Sequence, residues 1–341
     1  MSTHSPLLGD TARLYAALGE GARRVWQGDP VRPSTTTSAV PLTTPPKLTA
    51  LAAFGEHCLT ASLADAAWRH SMHMESDRQW VQRLLDDAGV AVAFTKGALA
   101  DPLFWRNSGL RGGTDLDVVV RRVDFEAVHH ILCSHGWGLR RGHQLPTPQV
   151  TKSEWQYQWQ SADAAHFDVD VHIEFGATPP YAPFGEAALC RRRRNDIGDV
   201  WGLRPEDWLA SLAINTASQK FNGCLTAALD VYALCHHHPE AVDEGVQLAK
   251  QVGAEWGLWG LYRLVTSGFG GRWPTSVPQV SLSTSQRRII DEVVGLRDGV
   301  DRLSSGWRRA LLVDAPLLGP VAVARRLQSK LRQHWPGRPR R

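Results

Sequence analysis

"GLRGGTDLDVVV", residues 109–120, sets two aspartates one residue apart between a pair of glycines and an apolar run. In an extended strand side chains alternate with a period of two, so Asp115 and Asp117 face one way while Leu116 and Val118 face the other. Two carboxylates this close repel each other unless a cation lies between them. A divalent, oxygen-preferring ion such as Mg2+ answers that need and leaves positions open for phosphate oxygens. The stretch therefore reads as a strand that carries a metal-binding pair.

The surrounding chain has an ordinary globular make-up. Its 341 residues suffice for two domains or one large one, and a hydrophobic content of 43% is enough to build cores. No run of about 18 uncharged apolar residues occurs, and the opening "MSTHSPLLGDTARLYAALGE" lacks the basic start and long apolar centre of a secretory signal. A soluble, cytoplasmic protein with no membrane partner is expected. Cys58, Cys133, Cys190, Cys224 and Cys235 are scattered without a CxxC spacing, which fits free thiols in a reducing compartment. The net charge of +4 is uneven, with "RRRR" at 191–194 and "ARRLQSKLRQHWPGRPRR" at the end of the chain. Such runs are ordinarily solvated loops or frayed tails, and otherwise contacts to nucleic acid or phosphate.

Periodicity organises the chain into three parts. Residues 28–47 are rich in Pro, Ser and Thr and read as irregular linker, so 1–47 forms an N-terminal helix and linker. From 48 to 88 apolar residues recur at spacings of three and four, and Gly89 closes the second helix as a C-cap. "VAVAF" at 90–94 is a short buried strand, and "TKGALADPLFW" is a turn leading into a helix. A helix follows "DLDVVV" and closes at Gly136. "HFDVDVHIEF" at 166–175 then alternates Asp168, Asp170, His172 and Glu174 with Val169, Val171, Ile173 and Phe175. From Pro205 the pattern is helical, and the helix near 283 opens on a Ser or Thr cap. The "CHHHP" at 235–239 reads as a helix end, since adjacent residues on a helix point apart. The expected fold is α+β: a small mixed β-sheet core flanked by helices over 48–200, then an all-helical C-terminal domain with a basic tail over 201–341.

Three features in chain order carry the chemistry: a strand ending at Lys96-Gly97 where a helix starts, a strand with Asp115 and Asp117, and a later strand with Asp170. That order resembles the nucleotidyltransferase superfamily typified by DNA polymerase beta. More closely, Thr95-Lys96-Gly97, Arg111, Asp115-Leu116-Asp117, Gly136-Trp137 and Asp170-Val171-His172 resemble the motifs of the bacterial uncharacterised nucleotidyltransferase family. The resemblance spans roughly 85–176 and continues more weakly through "LRPEDWLASLAINTASQKF" and "ALDVYALC". Two departures stand out: no histidine lies near Asn215, where the family has one, and the superfamily turn commonly reads Gly-Ser or Gly-Gly and sits closer to the aspartate pair.

The resemblance implies transfer of a nucleoside monophosphate from an NTP, ATP foremost, to a hydroxyl or phosphate of an acceptor, with Mg2+ or Mn2+ as cofactor. Asp115, Asp117 and Asp170 would be the catalytic metal ligands, and Asp170 would accept the proton of the acceptor hydroxyl. Lys96, Gly97, Arg111 and Thr114 would bind the nucleotide, with Gly97 letting backbone amides approach a triphosphate at a helix N-terminus. On residue type alone Lys96 and Arg111 serve equally well as parts of a solvated turn and a positioning loop. Asp168 and Glu174 share the strand face of Asp170 and offer alternative ligands. His172 is either a structural histidine or a substrate contact, and Lys220, Asn215 and Asp230 lie in the helical region that resembles the family's, which implies that one of them would reach the nucleotide or acceptor. A small-molecule acceptor is expected, with RNA the alternative and a non-catalytic nucleotide-binding protein the reading from another class. Oligomeric state, base preference and acceptor identity are not legible.

Overall fold

The computed structural model of the protein describes residues 6–34, 48–106, 108–140, 156–162, 165–176, 181–196, 199–219, 221 and 223–294. Its centre is a mixed sheet. β1 (Val92–Phe94), β2 (Asp115–Val120), β3 (Trp137–Leu139), β4 (Gln156–Ser161), β5 (Asp168–His172), β6 (Arg193–Asn195) and β7 (Val200–Gly202) lie in the order β3-β4-β5-β2-β1-β7-β6. β2 runs parallel to β5 and β1 parallel to β7, while the other neighbours are antiparallel. The mixed α/β architecture agrees with the expected class, although the sheet has seven strands where the sequence made three plain.

The alternation in "DLDVVV" and "DVDVH" explains the register. Leu116 pairs with Val169 and Val118 with Val171, so the apolar residues of both strands share one face and are fully buried. A slip of one residue would turn every one of them to the other face. Asp117 and Asp170, paired in the same register, therefore share the opposite face.

Helices cover this sheet. α1 (Pro6–Gln27) and α2 (Thr49–Gly55) precede α3 (Ala61–Asp87), whose N-cap Thr60 accepts a bond from the Leu63 amide. α4 (Lys96–Phe104), α5 (Phe125–Ser134) and α6 (Gly185–Cys190) lie between strands. From Pro205 every described element is helical: α7 (Pro205–Ser218), α8 (Cys224–His237), α9 (Val242–Gln251), α10 (Glu255–Arg263) and α11 (Thr284–Val293), with short 3-10 and π segments beside them. α7 starts with Pro205 at a position where the missing N–H costs nothing, and Glu206 and Asp207 complement the helix dipole in its first turn. α7 is buried on almost all sides. α10 packs so closely on it that a side chain at Gly257 would run into the Ala213 carbonyl. α11 opens on the expected cap: Ser283 Oγ accepts from the Gln286 amide at 3.2 Å and Gln286 Oε1 accepts from the Ser283 amide at 2.7 Å, a complete capping box.

The arginine run of 191–194 is engaged within the protein. Arg191 forms a two-point pair with the buried Asp207 and Arg194 one with Asp199, and Arg192 lies over the Trp201 ring. At the end of α8, His236 stacks on Trp26 and His237 on Phe104, in keeping with a helix end. The basic tail lies outside the described residues.

Candidate active site

The loop that feeds β2 is fixed before the carboxylates begin. Gly109 adopts a φ of +67°, a conformation costly for a side-chain-bearing residue, and a Cβ there would collide with the Ala67 carbonyl of α3. Arg111, two residues on, is buried and points across to α8, where its Nε and Nη2 donate to the two carboxylate oxygens of Asp230 at 3.0 and 2.6 Å. Its Nη1 donates to the Gly112 carbonyl at 2.8 Å. Gly97, second residue of α4, faces the same guanidinium: a Cβ there would lie 2.7 Å from Arg111 Nη1. The smallness of Gly97 thus seats an arginine as well as opening the helix start.

β2 then delivers its aspartates. Asp115 is half-buried and accepts from Thr114 Oγ1 at 3.1 Å. Asp117 is almost fully buried, and one of its oxygens, Oδ1, accepts two bonds: from Lys96 Nζ at 2.5 Å and from His172 Nε2 at 2.8 Å. Lys96 is held for this contact by a strained backbone, with φ +48° at the first turn of α4. The Thr95 amide bonds the Asp117 carbonyl at 3.0 Å, which pins the start of α4 to β2.

Electrostatics follow from burial and pairing. Burial alone would push the Lys96 ammonium toward neutrality, but Asp117 and, further off, Asp115 and Asp170 overrule it and raise its pKa. Burial would likewise favour protonated Asp117, yet Lys96 and the His172 hydrogen bond hold it well below the usual carboxylate range. His172 is driven below the ordinary imidazole value by burial and by the Lys96 charge, so it stands neutral and donates through Nε2. The site combines a firmly ionised carboxylate, a firmly charged amine and a neutral imidazole.

Ligating atoms of Asp117, Asp170 and His172 all lie within 4.8 Å of one another. The two carboxylates are donors that a divalent ion such as Mg2+ or Mn2+ accepts, while His172 is engaged through Nε2 with Asp117 and orients that carboxylate. The trio the structure gathers most tightly contains His172, with Asp115 further along the strand where the cleft opens. The cleft wall beside these strands holds Lys96, Gly97, Thr114 and Asp115, and Asn215 of α7 and Thr226 of α8 face them from the helical side.

The other expected residues take separate places. Glu174 is turned away: its Oε2 accepts from the Phe184 and Gly185 amides at 2.8 and 2.7 Å and so caps α6. Asp168, in register with Asp115, accepts from Gln158 Nε2 and the Ser161 amide. Lys220 lies outside the described residues. Thr226 carried no signal in the sequence, and the pairing of Arg111 with Asp230 joins residues 119 apart, which neither periodicity nor motif spacing reveals.

A mixed sheet that sets paired carboxylates on adjacent parallel strands, beside a helix start and an arginine-containing loop, defines a nucleotidyltransferase-like core. The family comparison agrees: residues 57–270 match the model of the uncharacterised nucleotidyltransferase family, and the chain belongs to that family. No curated protein and no solved structure matches the chain. Among the described residues, no helix is long and apolar enough to cross a membrane.

Proposed function

We propose that the protein is a metal-dependent nucleotidyltransferase that moves a nucleoside monophosphate from an NTP to a hydroxyl or phosphate of a small-molecule acceptor. The observation that carries this is the in-register pairing of Asp117 with Asp170 on parallel strands, next to a cleft that also holds Lys96. Asp115, Asp117 and Asp170 would hold a divalent ion, which would supply charge stabilisation for an in-line displacement at phosphorus. His172 fixes the orientation of Asp117 through its Nε2 bond and leaves the outer oxygen of that carboxylate for ligation.

Bond making and breaking balance simply. The acceptor oxygen forms a bond to the α-phosphorus, the bond from that phosphorus to the bridging oxygen of pyrophosphate breaks, and Asp170 takes the hydroxyl proton. Lys96 and the amides at the start of α4 neutralise the triphosphate, and Thr114 bonds a phosphate oxygen. Asn215 and Thr226 face the remainder of the nucleotide from the helical wall.

Engagement of the 191–194 arginines with Asp207, Asp199 and Trp201 supports a small acceptor over RNA. Incubation with each of the four α-labelled NTPs, Mg2+ or Mn2+, and separate pools of metabolites and RNA tests the assignment against Asp117→Asn. Label moved to a small acceptor by wild type alone is the expected result. Label on RNA, with activity that collapses at high salt, would make RNA the acceptor. An equally active Asp117→Asn enzyme would remove the mechanism.

A further inference from the structure

A second group of ligating side chains lies on α3, separate from the carboxylate cleft. His73 and Asp77, four residues apart, project from one face of the helix. His166, in the segment that enters β5, meets them there. His166 Nδ1 is 2.9 Å from Asp77 Oδ1 and His73 Nε2 is 3.4 Å from Asp77 Oδ2. The ligating atoms of all three residues fall within 4.8 Å of one another.

We propose that His73, Asp77 and His166 form a metal site that takes Zn2+ and clasps α3 to the strand bearing Asp170. Bonds of about 2.0–2.1 Å in a tetrahedral site put donor atoms roughly 3.3 Å apart, and the two measured separations bracket that value. Two imidazoles and one carboxylate suit zinc and leave a fourth position for water, whereas Mg2+ prefers all-oxygen sets. Asp77 is only 3% exposed. Its Oδ2 already accepts from the Phe167 amide at 2.8 Å, which orients the carboxylate as outer hydrogen bonds orient metal ligands. The rings of Trp80 and Trp137 lie 4.6 and 5.2 Å from His166, and Phe167 lies 4.9 Å from His73, so aromatic walls flank the group. The competitor is the Ala165 carbonyl, 2.8 Å from His73 Nε2. Metal binding requires that nitrogen, and the His166 Nδ1 that donates to Asp77 Oδ1, to pass their protons to the other nitrogen of each ring, a change of tautomer with no change of charge.

This site does not depend on the transferase reading, and its test separates the two. Full-length protein is stripped with a chelator and titrated with Zn2+ against a chromophoric competitor, as wild type, Asp117→Asn, His73→Ala and His166→Gln. His73 is about half exposed, so its replacement leaves the fold intact, which circular dichroism verifies. Expected are one Zn2+ per chain in Asp117→Asn, that Zn2+ and at most one more at the carboxylate cleft in wild type, and in His73→Ala affinity at this site at least about 100-fold weaker. Zn2+ should also raise the melting temperature of Asp117→Asn but not of His73→Ala. Co2+ should give four-coordinate d–d bands with no thiolate charge-transfer band, which separates this site from the exposed Cys133–His129 pair. Unchanged Zn2+ affinity in His73→Ala, no Zn2+ binding by wild type, or a thiolate band with Co2+ would each overturn the proposal.

Discussion

Removing Asp230 tests whether the helical wall and the β2 loop are held as one piece. The Arg111 and Asp230 side chains are 5% and 0% exposed and joined by two charge-assisted bonds. Asp230→Ala leaves the guanidinium buried with the Gly112 carbonyl and the more distant charges of Asp101 and Asp117. Breaking one partner of a buried pair costs about 3–5 kcal/mol, because the other charge stays behind unsolvated. Arg111→Met strands Asp230 in the same way and should cost a similar amount. Arg111→Met combined with Asp230→Leu removes both charges and should return to within about 1–2 kcal/mol of wild type, as apolar replacements of buried pairs do. Urea unfolding of the four proteins gives the double-mutant cycle, with an expected coupling of several kcal/mol. Single variants that lose less than about 1 kcal/mol, or a double variant that loses the sum of both, would refute the account.

Lys96→Met keeps the length of the side chain and deletes its charge. It should weaken NTP binding at least about tenfold by isothermal titration, and unchanged affinity would take Lys96 off the triphosphate. Ser283→Ala removes the capping box of α11 and should cost about 1 kcal/mol, read as a lowered urea midpoint; no loss would mean that α11 is held by packing alone. His237, pressed on Phe104 and beside His236 and His238, has its pKa lowered to about 4 by burial and then by those neighbours. The unfolded chain therefore binds a proton that the folded chain refuses between pH 6.5 and 4, so stability is full above 6.5 and falls on acidification through that window. His237→Phe should make that fall shallower in unfolding measured against pH, and an unchanged slope would contradict the lowered value.

What the sequence made legible was what alternates. Asp115, Asp117, Asp170 and His172 announced one face of two strands because each is flanked by Leu or Val that must go the other way, and the register bears this out. The cap of α11 was legible from the Ser and Thr that open the helix, a purely local device, and the structure adds the Gln286 half of the capping box. β4, "QYQWQS", was not, because it lacks the aliphatic and β-branched residues that mark a buried strand, although Trp159 goes into the core. β6 and β7 are three residues each, too short for any period to show. Lys96 was legible as a residue at a turn, but its contact with Asp117 depends on a positive φ that a lysine seldom adopts. Contacts such as those of Arg111 with Asp230 and of Asp77 with His166 join elements far apart in the chain, and packing alone brings them together.

The parallel pairing of β2 with β5 also fixes when the site comes into being. Asp117 and His172 are 55 residues apart, and β3 and β4 must add to the far side of β5 as an antiparallel meander. Long-range parallel pairing is slow, since a large loop must close before its contacts compensate the lost chain entropy. The backbone hydrogen bonds of α7, α8 and α10 each close within a single segment, so these helices can form earlier. A refolding chain would then pass through a state with helices formed but no carboxylate pair, and competence to hold a divalent ion would arrive late in folding.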